Sequence, residues 1–212
     1  MVANYIKVIS LIVLICTAPP IFAQNGKMKK FMHLSSPEKC WVITHPFIAS
    51  KALLISESVK KATQEEGVRE ELDNYVNGGK LDAFRHVFWM ASLGLAFNPK
   101  KALKLGVAHE KGNKKDFSKR RKEEGVIPDQ ISGEMDLWNN QIGAGIAILH
   151  KDVSKEESRK LAIESIIKGK CKIIKRGSNG AFLSKDNKVI KDEEWIGEWI
   201  NERCLVMSNY NN

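Results

Sequence analysis

Apolar residues fall at helical spacing along most of this chain. From Pro46, the positions Ile48, Ala52, Ile55, Val59 and Ala62 keep one face apolar, a 3.6-residue period that predicts a helix to about Val76 with a break near Gly67. Asn77-Gly78-Gly79 stops it, because glycine takes the left-handed conformation that ends helices. A second helix is predicted over about Leu81 to Phe97. It ends at Asn98-Pro99, since proline cannot continue a helix but suits the first turn of the next. The third runs to about Lys111 and a fourth from about Glu134 to His150. Ser154-Lys-Glu-Glu157 has capping-box spacing and opens a fifth, which ends near Gly169. Beyond it, Ile173-Ile174, Ala181-Phe-Leu183 and Val189-Ile190, separated by polar turns, predict a small hairpin. Glu193 to Cys204, with Trp195 and Trp199 four apart, predicts a short amphipathic helix. The expected fold class is mainly α: a compact orthogonal helical domain with a central buried helix and a small C-terminal β-hairpin plus helix.

The second helix carries the most information. At about 100° per residue, Leu81, Phe84, Phe88, Ala91 and Leu95 form one apolar stripe, and Asp82, His86, Trp89 and Leu93 lie nearly opposite. No face is left for water, which marks a buried helix. Asp82, Arg85 and His86 nevertheless sit within one turn of it, and burial without partners would cost several kcal/mol, on the order of 3–5 for a broken ion pair. Partners are expected from the third helix, where His109 shares a face with Ala102, Leu105 and Gly106 and Glu110 flanks it. They are also expected from the fourth, where Asp136, Asn140, Gly143 and Ala147 make a stripe in which polar residues give way to small ones. The expected site is one shared pocket of Asp82, Arg85, His86, His109, Glu110, Asp136 and Asn140.

The start of the chain changes the picture of where this domain works. Met1-Val-Ala-Asn-Tyr-Ile-Lys7 is followed by an apolar run from Val8 to Cys16, too short for a spanning helix of about 20 residues. Ala18-Pro-Pro-Ile-Phe-Ala23 then places a small residue before Gln24. That is the grammar of a cleaved signal peptide, so periplasmic or secreted localisation is expected, with no membrane span. The expected divisions are a signal peptide at residues 1–23, a flexible arm at 24–39, a single helical domain at 40–204 and a flexible tail at 205–212. An oxidising compartment permits a disulfide. Cys171–Cys204 is the preferred pair, worth roughly 3–4 kcal/mol in the chain-entropy model, with pairing through Cys40 and three free thiols as the alternatives. The net charge is +9. Lys114, Lys115, Lys119, Arg120, Arg121 and Lys122 concentrate part of it in the stretch Gly112 to Gly133, read as a mobile, solvated loop with at most one helical turn. An anionic substrate or envelope component is the partner such charge could draw. No aromatic residues interleave with the lysines, so there is no strong nucleic-acid signature.

Three short motifs, Asp82-Ala-Phe-Arg-His-x-x-Trp89, Ala108-His-Glu110 and Met135-Asp-Leu-x-Asn-Asn-x-x-Gly143, occur in order between about Cys40 and His150. In them the chain resembles an uncharacterised bacterial domain-of-unknown-function family, whose members occur in exported proteins and as terminal modules of toxin-like proteins. The resemblance implies that Asp82, Arg85, His86, Trp89, His109, Glu110, Asp136, Asn139, Asn140 and Gly143 are motif positions. It implies no reaction.

Three functions fit these residue types. The first is a hydrolase with a divalent transition metal held by His86, His109 and a carboxylate, Asp136 or Glu110. The second is metal-free acid–base chemistry, with Asp82 or Asp136 orienting His86 and Arg85 holding an anionic group. An Arg-His pair on a helix is similar to phospholipase A2-type enzymes, but Val87 stands where their aspartate follows the histidine. The third is a non-catalytic binding or structural module whose polar cluster is a packing network.

Overall fold

The computed structural model describes residues 25–69, 71–122 and 125–210. The expected signal peptide, residues 1–23, lies outside them. Two units are present, divided after Leu34. The first contributes helix α1 (Asn25–His33), and everything that follows belongs to the second.

Among the described residues the second unit holds α2 (Ser36–Thr44), α3 (Pro46–Glu66), α4 (Lys80–Ala96), α5 (Pro99–Ser118), α6 (Gln130–Leu149) and α7 (Lys155–Ile167), then strands β1 (Lys172–Ile174) and β2 (Leu205–Met207). The fold is mainly α, as the periodicity predicts. Local chemistry sets the boundaries. Ser35 and Glu38 form a reciprocal capping box at α2. Asn98 Oδ1 accepts the backbone N–H of Lys100 and Lys101 in front of Pro99, which starts α5. Asp129 Oδ1 accepts the Ser132 N–H at 3.0 Å to start α6, and Ser154 Oγ accepts from Glu157 to start α7.

Helix α4 is the central element, flanked by α3, α5, α6 and α7. Ala83, Phe84, Val87, Phe88, Met90, Ala91 and Leu93 on it are fully buried. The helix therefore owes its place to tertiary burial on all sides, at about 1.5–3 kcal/mol per large apolar side chain. Its closest approach is to α6. A Cβ at Gly143 would run into the Val87 carbonyl oxygen and stand 2.8 Å from Met90 Cβ, so only glycine lets the two backbones meet there. Next to this crossing, Asn139 is fully buried and pins the sheet to the bundle. Its Nδ2 donates to the Lys172 carbonyl and its Oδ1 accepts the Lys172 N–H, both at 2.9 Å.

Several expectations are corrected. The segment read as a mobile loop from Gly112 is helical to Ser118. Asn113 is buried and donates to Glu110, while Lys111, Lys114 and Lys115 take the outer face, so the basic cluster is helix surface as far as Lys115. The expected arm, 24–39, carries α1 and the first turn of α2. The C-terminal helix over Glu193 to Cys204 does not form, and only a 3-10 turn, Asp192–Glu194, appears. Gly197 at φ +79° breaks the helical path, and the two tryptophans go to different neighbours: Trp195 onto Phe182, Trp199 onto Phe117. The hairpin is rewired too. Arg176–Phe182 and Leu183–Val189 are isolated bridges, whereas β1 pairs antiparallel with β2, inside the stretch read as a tail.

That register also excludes the preferred disulfide. Ser208 N–H donates to the Cys171 carbonyl and Lys175 N–H to the Cys204 carbonyl, so the two cysteines sit at opposite ends of the ladder. Four residues of strand at about 3.4 Å each put them roughly 13–14 Å apart, beyond disulfide reach. All three of Cys40, Cys171 and Cys204 are free thiols, and burial pushes the Cys171 thiol up to about 12.

Candidate functional site

Asp82 lies in the first turn of α4, just after the Asn77-Gly78-Gly79 turn. Gly78, at φ +76°, donates its N–H to Asp82 Oδ2 at 2.7 Å. This carboxylate thus faces a helix N-terminus, where partial positive charge favours an anion. Its other oxygen, Oδ1, accepts Arg85 Nη2 at 2.5 Å and Nε at 3.2 Å. One turn on, His86 points the same way. Its Nε2 lies 3.6 Å from Asp82 Oδ1 and 3.2 Å from Asp136 Oδ1, which is presented by α6. Arg85 Nη2 is also 3.2 Å from that nitrogen.

Asp82, His86 and Asp136, all buried, therefore offer three ligand atoms within 4.8 Å of one another. The helical period brings Asp82 and His86 together at i and i+4. The glycine crossing at Gly143 brings α6 close enough to add Asp136.

These residues stand beside a cavity of about 380 Å³. Asp82, Arg85 and Asp136 line it, and His86 lies behind the two carboxylates. Arg176, Phe182 and Arg203 contribute to its lining from the C-terminal segment. Arg203 pairs with Asp129, the cap of α6. Burial pushes Arg203 down to about 10 and lowers Arg176 as well.

The other expected site residues are placed differently. His109 is not in the ligand group. The Trp89 ring packs edge-on against both imidazoles, at 6.4 Å from His86 and 5.8 Å from His109, and His109 Nδ1 donates to Glu38 Oε1 on α2 at 3.0 Å. Of the expected metal set of His86, His109 and Asp136, the structure therefore brings His86 and Asp136 together, with Asp82 rather than His109 as the third nearby ligand atom. Glu110 accepts from Asn113 at 3.2 Å, and Gly133 on α6 leaves room for its carboxylate. Asn140 sits one turn deeper than Asp136 and is 1% exposed. Among the described residues neither of its amide atoms has a hydrogen-bond partner, and Gly106 leaves the space it occupies.

Asp129, Arg176 and Arg203 were not expected at the site. No periodic pattern marks the segments that carry Arg176 and Arg203. The signal for Asp129 was an aspartate just ahead of a helix, which reads as a cap and nothing more.

The Glu38–His109 pair has a consequence in acid. Burial would raise the Glu38 carboxyl, but the hydrogen bond and charge of His109, with two bonds from Ser35, outweigh it and hold the group below its usual range. A depressed carboxyl stabilises the fold above its unfolded pKa and loses that contribution as pH falls through its folded one. Glu38→Gln is therefore expected to be less stable than wild type near neutral pH, with the gap closing on acidification. Urea unfolding at stepped pH measures it, and a gap independent of pH contradicts the pairing.

Comparison with curated proteins and with solved structures finds no match. A family described as a domain of unknown function (DUF6973) matches residues 39–170, a stretch that holds Asp82, His86 and Asp136 and stops short of Arg176 and Arg203. With more than half its length inside that match, the chain belongs to this family.

Proposed function

We propose that the chain is a hydrolase whose centre, Asp82, His86 and Asp136, holds a divalent transition metal at the edge of the cavity. The observation that carries this reading is the convergence of two carboxylate oxygens on one imidazole nitrogen. Ligands at 2.0–2.2 Å from a shared ion lie about 3.0–3.5 Å apart at octahedral or tetrahedral angles, and the two distances from His86 Nε2 are 3.2 and 3.6 Å. Oxygen donors with one imidazole suit manganese, iron or zinc better than softer ions. Such an ion supplies Lewis acidity and activates water.

The chain's own groups do the rest. The Gly78 N–H fixes the orientation of Asp82. Arg85 holds the same Oδ1 that faces the histidine, so it must yield that oxygen to an ion, and it then turns toward the cavity it already lines. There it can hold an anionic group of the substrate.

We further infer that the protein works in the periplasm or outside the cell. The charged start, short apolar run and Ala23 site support this, and an intact Met1 on protein from the native host would refute it.

A packing network is the second reading, favoured by one observation: both oxygens of Asp82 are already bonded within the protein. Calorimetric titration separates the two. Chelator-treated protein is expected to bind one Mn²⁺ or Zn²⁺ per chain, with hydrolytic activity appearing only in the loaded form. Absence of binding leaves the packing network as the better account.

A further inference from the structure

The cavity wall beyond the carboxylates is built by the C-terminal segment, outside the residues that the family shares. Its two arginines are held in fixed positions. The Arg176 guanidinium lies 3.7 Å over the Phe182 ring and 4.2 Å over Tyr75, and donates through Nη1 to the Gly180 carbonyl and through Nη2 to the Asn77 carbonyl. Arg203 lies 4.6 Å from the centre of the same Phe182 ring and 4.2 Å from that of Trp195. Stacking on aromatic faces suits guanidinium, which is weakly hydrated and planar, and it fixes the group before a ligand arrives.

Charge then decides what this wall is suited to hold. Four cationic side chains, Arg85, Arg176, Lys191 and Arg203, line the cavity against four aspartates, Asp82 and Asp136 among them. The lining is balanced as it stands, and a divalent ion at Asp82, His86 and Asp136 would leave it two positive charges in excess.

We propose that the C-terminal wall, through Arg176 and Lys191, is an anion subsite, and that the substrate enters as a doubly charged oxyanion of the phosphate monoester class. This rests on the metal reading for its charge count. Guanidinium suits phosphoryl oxygens, and Arg176, whose pKa burial lowers, would gain from an anion beside it, whereas Arg203 already has Asp129.

The test is calorimetric titration of inorganic phosphate, against acetate at equal ionic strength, into the Mn²⁺-loaded and the chelator-stripped chain. Phosphate is expected to bind the loaded chain and to outcompete acetate. Arg176→Gln is expected to weaken phosphate about 10-fold, the loss of one charge-assisted bond, and Lys191→Gln less, with Mn²⁺ affinity unchanged in both. Wild-type phosphate affinity in both variants, or no preference over acetate, overturns the subsite. Lys191 is exposed, so Lys191→Gln still reads it should Arg176→Gln fail to fold. If Mn²⁺ does not bind, the metal reading fails by itself and the stripped chain decides: phosphate binding that Arg176→Gln removes upholds the arginine wall, and no binding ends it.

Discussion

Gly143→Ala is expected to destabilise the fold by about 3 kcal/mol or more, at the upper end of overpacking costs. The new methyl would meet the Val87 carbonyl oxygen and Met90 Cβ, both on the central helix. Backbone cannot rotate away as a side-chain tip can, so α4 and α6 must separate. That separation would unseat the Phe84, Val87 and Phe88 packing as well as the approach of Asp136 to His86. In thermal unfolding the loss corresponds to roughly 6–12 °C for a domain of this size. Gly145→Ala is the control, because nothing lies within 4 Å of a Cβ there. Removing a helical glycine at an open position is expected to leave stability unchanged or raise it by about 0.5–1 kcal/mol. Equal effects at the two glycines would contradict the close crossing.

Asp136→Asn is expected to lower divalent-ion affinity by about 100-fold or more, since even residues that only support a metal ligand cost 10–100-fold when removed. The amide keeps the shape of the side chain and loses its charge. Without an ion, Asp136 and Asp82 are two buried carboxylates beside one imidazole, an arrangement in which like charges oppose each other. The ion-free variant is therefore expected to melt within about 1 kcal/mol of wild type, inside the range of ordinary substitutions. A packing network predicts the reverse. There, removing one partner of a buried pair costs about 3–5 kcal/mol, with no ion affinity to lose. Thermal unfolding of the ion-free variant beside its Mn²⁺ titration reads both quantities.

What could be read from the residues follows from which forces are local. The apolar period of Leu81 to Phe97 identified the buried central helix, because burial on every side leaves its mark on every position. The i, i+4 spacing placed Asp82 beside His86 by helix geometry alone. The stripe Asp136, Asn140, Gly143 pointed to a close helix contact because small residues have few other reasons to line up. His109 stands outside the Asp82, His86 and Asp136 group for a physical reason: sharing an inward face says nothing about which neighbour the ring meets, and here it bonds Glu38. The Trp89 ring packs against both imidazoles. The C-terminal segment failed more broadly. Its short strands pair across about 30 residues, and its stability comes from stacked guanidinium and aromatic groups. Trp195 and Trp199 are four apart and suggested a helix, yet each is anchored by a partner distant in sequence.

The most direct measurement of the central claim is anomalous diffraction from crystals grown with saturating Mn²⁺. A metal centre at this site gives a single strong peak about 2.0–2.2 Å from Asp82 Oδ1, His86 Nε2 and Asp136 Oδ1, with the Arg85 guanidinium drawn off Asp82 Oδ1 toward the cavity. No peak there, with Arg85 still bonded to Asp82, would contradict it.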